Sequence, residues 1–171
     1  MSLGLLVVRL VIGLAMAAHG AQKAFGWFGG HGLKGTGAFF ESIGFRPGAA
    51  FAFLASGTEI VSGLLVAAGA LGPVGPALMI MVMIIGAGAV HLKNGFFAQE
   101  GGFELNAIYA AAAAALAFGG FGRYSVDSAA GIALLFTGTI DWIAIVAAVV
   151  LGIAMLALRR PAPESIGAQA S

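Results

Sequence analysis

The chain has only three histidines, and two of them stand where apolar runs end: His19 in "MAAHGAQKAF" and His91 in "GAVHLKNGFF". Each is followed by a lysine, Lys23 one helical turn later and Lys93 directly after Leu92. Glu104 follows in "GGFELNA", and Glu59 interrupts another apolar run. Imidazole exchanges a proton near neutral pH, an ammonium donates hydrogen bonds, and a carboxylate can relay protons. His19, Lys23, Glu59, His91 and Glu104 are therefore candidates for proton-coupled chemistry. His19, Lys23 and His91 are the candidates for holding a cofactor. Bis-histidine ligation of a haem or metal by His19 and His91 stays open, but it requires both rings to point at one centre. Plainer roles stand beside these. Lysines at span ends snorkel, histidines there bond at the interface, and a carboxylate is favoured at a helix N-terminus, as Glu104 would be.

The elements that position these groups are set by composition. Hydrophobic residues make up 60% of the chain and charged residues 9%, with a mean hydropathy of +1.02. Soluble domains have about a quarter of their residues charged, so this is an integral membrane protein. A net charge of +1 gives no electrostatic case for nucleic acid. The 28 glycines follow no G-X-Y period and fit close helix packing in lipid instead. Cysteine is absent, which removes disulfides, thiolate metal sites and CxxC redox pairs. Any redox role must use a bound cofactor, a quinone or a partner's thiols.

The apolar pattern predicts an all-α membrane protein: a four-helix transmembrane bundle, a fifth C-terminal transmembrane helix and an interfacial helix in the first loop. The spans are expected at about 3–25, 48–70, 76–92, 104–121 and 141–158. Residues 1–128 form the bundle, 129–160 a loop and the added helix, and 161–171 a disordered tail. The first span is expected to be retained rather than cleaved, because its early cation, Arg9, follows an apolar stretch instead of preceding it. Glycines at 29, 30, 32, 35 and 37 argue against helix in the first half of the first loop, leaving "GAFFESIGF" at 37–45 as its helix. Lys23, Lys34, Arg46, Lys93, Arg159 and Arg160 share one side, against Arg9 and Arg123 on the other. The positive-inside rule then puts the C-terminus in the cytoplasm.

Within the first span, Arg9, Gly13, Met16, Gly20 and Lys23 recur at spacings of four and three and share one helical face. Gly13, Ala17 and Gly20 would let a neighbouring helix approach. A charge inside a span costs about 2.5–3.5 kcal/mol on insertion scales, so Arg9 and Glu59 are expected to face the bundle interior. Pairing of those two as glue between the first two spans is one expectation. Arg123 and Asp127, in "GRYSVD", complete a structural polar network with them.

Several ordered motifs together resemble the DoxX family: Arg9-Leu10, "HGAQK" at 19–23, "ExxxGLL" from Glu59, "HLKNGFF" at 91–97, "GGFE" at 101–104 and "GRYSVD" at 122–127. The resemblance runs over residues 3–128. Ser62 departs from it where members often have glycine, and Phe121 where they commonly have proline. It implies a compact four-helix membrane bundle of the bacterial inner membrane, associated with redox enzymes that use quinone. Functional candidacy then falls on Arg9, His19, Lys23, Glu59, His91, Glu104, Arg123 and Asp127. The expected function is a quinone-linked redox subunit with an electron-donating protein partner, surrounded by lipid. A quinone headgroup is expected at His19 with Lys23 or His91 opposite. The alternative is a non-catalytic membrane scaffold that anchors soluble redox or stress-response enzymes.

Overall fold

The computed structural model describes residues 2–136 and 138–160, so the tail expected to be disordered lies outside the described residues. The protein is all-α. Helix α1 spans Ser2–Phe25, α2 Gly32–Ser42, α3 Gly48–Ala68, α4 Val74–Gly86, α5 Glu104–Gly119, α6 Val126–Ala129 and α7 Thr139–Ala157. A π-helical turn at Ala87–His91 and a 3-10 turn at Leu92–Asn94 extend α4. Four helices, α1, α3, extended α4 and α7, are long and apolar enough to cross a membrane. Helix α5 has 16 residues, about 24 Å at ~1.5 Å per residue. It still runs between the two ends of the bundle, because its first residue bonds the loop after His91 and the loop after its last residue bonds Arg9.

The helix in the first loop starts earlier than its glycines suggested, at Gly32 rather than Gly37. Packing overrides propensity here. Thr36 and Gly37 are buried, and Gly37 lies so close to Ala49 that a Cβ would stand 3.2 Å from its amide nitrogen. Thr36 Oγ1 also donates to the Lys23 carbonyl at 3.2 Å, satisfying a free carbonyl at the end of α1.

The α1–α3 interface follows the small-residue pattern. Arg9, Gly13, Met16 and Gly20 are all buried on α1. A Cβ on Gly13 would meet the Gly63 carbonyl at 2.5 Å and the Ala67 amide at 2.6 Å, and one on Gly20 would meet the Ser56 carbonyl at 2.7 Å. The two backbones touch directly. In lipid, where apolar burial gives helices little reason to associate, such close van der Waals contact supplies the attraction.

Helix α7 is integrated with the bundle. Ala148 and Gly152 are buried on it, and a Cβ on Gly152 would stand 3.1 Å from Ile84 of α4. Its far end is fastened to the first loop: Arg159 Nε donates to the Ile43 carbonyl at 2.9 Å, and the Arg160 amide donates to the Gly44 carbonyl at 2.8 Å. Val66, Met79, Ile80, Ala113, Leu116 and Ala148 form the centre of the core between α3, α4, α5 and α7.

Candidate functional site

The bundle sorts its ionisable groups to two ends. At the end where α1 finishes, Lys23 Nζ forms an ion pair with Glu59 Oε1 of α3. Glu59 is 4% exposed, whereas the Lys23 side chain is 36% exposed. The second carboxylate oxygen, Oε2, is buried and has no hydrogen-bond partner. The pair therefore joins a buried carboxylate to an ammonium that reaches the surface.

His19 lies one helical turn before Lys23 and is exposed. Gln22 donates through its amide nitrogen to the Phe28 carbonyl at 3.2 Å, which turns its Oε1 toward His19 Nδ1 at 3.2 Å. Since Oε1 can only accept, Nδ1 carries the proton and Nε2 is the basic nitrogen. The ring stands edge-on to Tyr109 of α5, with centroids 6.3 Å apart and an interplanar angle of 74°. His91 has the same tautomer for the same reason: Nδ1 donates to the Gly101 carbonyl at 2.7 Å. Asn94 donates to that carbonyl as well, at 3.2 Å. Glu104 opens α5 and accepts from the Ala98 amide at 2.9 Å.

His19, Lys23, His91 and Glu104 thus share one end of the molecule, as alternating spans require. They do not form one hydrogen-bonded cluster. Lys23 pairs with Glu59, His19 with Gln22, and His91 and Glu104 with the backbone of the 95–104 loop. Among the described residues no group of three or more His, Cys, Asp or Glu side chains could hold a metal ion.

The expected Arg9–Glu59 pair is not formed, because the two residues lie toward opposite ends. Arg9 is 1% exposed and donates to the Phe121 carbonyl at 3.1 Å and the Tyr124 carbonyl at 2.8 Å. Its guanidinium passes Gly69, where a side chain would collide with it. Gly69 also closes α3 in the left-handed region, at φ 67°, so two constraints select glycine there. Asp127 is equally buried and accepts from the amides of Leu71 at 2.8 Å and Gly72 at 2.7 Å. Arg9 and Asp127 thereby fasten the 120–128 loop to α1 and to the α3–α4 turn. Arg123 is outside this network: it is exposed and stacks on Tyr124, 4.7 Å from the ring centroid.

Sequence reasoning missed Gln22, Tyr109 and Asp141 as site residues. Gln22 stands three residues after His19 inside "HGAQK", a spacing that could have marked it, whereas Tyr109 lies in an apolar run with no such signal. Asp141 was visible as the charge that opens the last span, which has an ordinary helix-start explanation. In the fold it is 4% exposed and its Oδ1 has no partner.

A sequence model of the DoxX family matches residues 4–92, from the first turn of α1 to the turn after the π-helical His91. No curated protein and no solved structure matches the chain. The matched segment spans just over half of the chain and contains Arg9, His19, Lys23, Glu59 and His91, and the chain is a multi-pass membrane protein that belongs to the DoxX family.

Proposed function

We propose that this protein is a quinone-linked, redox-associated subunit of the bacterial inner membrane, working with an electron-donating protein partner. The observation that carries the reading is a basic imidazole exposed at the bundle surface, one turn from an ammonium paired with a buried carboxylate. Quinones travel in the bilayer, so a headgroup would arrive from the side, where His19 and Tyr109 mark the α1–α5 seam. When bound, a quinone supplies two-electron, two-proton redox chemistry.

The residues present fit such a headgroup. With Nδ1 held by Gln22, neutral His19 offers Nε2 as an acceptor for a hydroxyl proton, and its protonated form donates from the same atom to a carbonyl. Lys23 donates hydrogen bonds and compensates negative charge. Glu59 Oε2, unpartnered and buried, is the next acceptor inward from the ammonium. His91 is a less direct candidate, since its Nδ1 orders the 95–104 loop. Neither the chain's cysteine-free sequence nor the ion pair carries electrons, so the donor belongs to a partner. Lys23, Lys34, Arg46, Lys93, Arg159 and Arg160 gather at the end we assign to the cytoplasm.

The test is the quinone content of protein purified in mild detergent from native membranes, by extraction and mass spectrometry, against His19→Ala. Near-stoichiometric quinone in the wild type that is lost in the variant supports the assignment. Equal background quinone in both removes it. The second reading, a non-catalytic scaffold for soluble redox or stress-response enzymes, is favoured by the 95–104 loop, where exposed Phe96 and Phe97 are presented on a backbone braced by His91 and Glu104. A scaffold keeps its soluble partners after His19→Ala.

A further inference from the structure

At the opposite end from the His19 site, a cavity of about 150 Å³ lies between the end of α5, the 120–128 loop and the start of α7. Its walls include Leu116, Ala117, Phe121, Asp127, Phe136 and Asp141. Asp141 sits in the first turn of α7, where a carboxylate would ordinarily turn back to the free amides of its own helix. It makes no such bond. Asp141 lines the cavity instead, and its buried Oδ1 has no partner among the described residues. Dipole alignment at the start of α7 favours a negative charge at this position.

Most of the polar groups in the rest of the lining are already bonded, the Ser128 hydroxyl excepted. The Leu71 and Gly72 amides are taken by Asp127. The Ser125 hydroxyl donates to the Gly122 carbonyl at 2.7 Å and accepts from the Ser128 amide. Arg9 is not part of the lining; it is bonded to the Phe121 and Tyr124 carbonyls and lies over the Phe121 ring, 5.8 Å from its centroid. Helix α5 ends beside the cavity, with Leu116, Ala117 and Gly120 in the lining, and the C-terminal end of a helix carries partial negative charge. The side chains of Phe121 and Phe136 complete the walls.

We infer that this cavity binds a primary ammonium group, with the buried Asp141 as its counter-ion and the end of α5 beside it. An ammonium carries three N–H donors, which the unpartnered carboxylate requires. A divalent metal is a poorer match, since among the described residues no cluster of ligating side chains is present. The same chemistry is offered by a free small amine or by the headgroup of phosphatidylethanolamine.

The test uses Trp27→Phe protein, so that Trp142, next to Asp141, is the one tryptophan left. It is placed in nanodiscs of phosphatidylglycerol alone and titrated with methylammonium at constant ionic strength. The expected result is a saturable change in Trp142 fluorescence, with tetramethylammonium, which has no N–H, at least about tenfold weaker. Asp141→Asn, with its helical circular dichroism retained, is expected to lose the response. Absence of saturation, an equal response to tetramethylammonium, or an unchanged response in Asp141→Asn overturns the inference. The comparison of the two cations is made on the wild-type cavity, so it decides the matter even if the variant misfolds. Repeating the titration with phosphatidylethanolamine in the discs separates the sources. Weakened methylammonium binding there identifies the lipid headgroup as occupant, and unchanged binding identifies a free amine.

Discussion

The two ends of this bundle use similar charged residues in opposite ways. At the Arg9 end, two charges are buried and bonded to the backbone of distant segments: Arg9 to Phe121 and Tyr124, Asp127 to Leu71 and Gly72. At the Lys23 end, the charges bond to one another or to nearby loops, and the ammonium and His19 reach the surface. Asp127, with both oxygens on backbone amides, has little capacity left for a ligand, and Arg9 keeps only its buried Nε without a partner among the described residues. A half-exposed pair with one free carboxylate oxygen keeps that capacity. The contrast makes Arg9 and Asp127 structural fasteners and leaves ligand capacity to the free oxygens of Glu59 at one end and Asp141 at the other.

Four substitutions sharpen or break this contrast, the first expected to cost the most. Arg9→Met removes two charge-assisted bonds and orphans two carbonyls, so a loss of about 3–5 kcal/mol is expected. It is measured as the thermal midpoint in detergent, and under the proposed function the fraction that stays folded should bind quinone as the wild type does. Lys23→Met strands the buried Glu59 and should cost about 1–3 kcal/mol, with much of that recovered in the Lys23→Met/Glu59→Gln double variant. A double-mutant cycle with no coupling would mean that the ion pair contributes nothing in solution. Arg159→Ala releases the end of α7 from the first loop, where its guanidinium bonds Ile43 and lies over Phe45. About 1 kcal/mol is expected, together with faster proteolysis near Ile43–Pro47. His19→Ala should change stability by less than about 0.5 kcal/mol, since the ring is exposed and holds one local bond. If it destabilises the protein as much as Arg9→Met, the division between the two ends fails.

Much of the architecture was legible from the chain. The spans were visible because each is a long apolar run, and the face of α1 that packs on α3 was visible because Arg9, Gly13, Met16 and Gly20 repeat at helical spacing. The start of α2 was not, because glycine propensity argues locally against helix while the contact of Gly37 with Ala49 is made by a distant segment. The partners of Arg9 and Glu59 were read wrongly for a related reason. Both were correctly expected to face inward, but helical spacing gives the face of a residue and not its depth. Lys23, at the end of α1, meets Glu59 because α3 runs antiparallel from the same end.

What the sequence determined by itself is the solvent, the number and order of the apolar helices, and the absence of thiol chemistry. Those follow from composition and period, which are properties of each segment alone. Which charge pairs with which, which tautomer each histidine holds, and where Asp141 is left without a partner were decided by tertiary structure. These depend on backbone carbonyls and amides brought together from segments up to 116 residues apart, as in the Arg159–Ile43 bond. Every residue supplies such groups alike, so no side-chain pattern along the chain marks which of them will meet a charge.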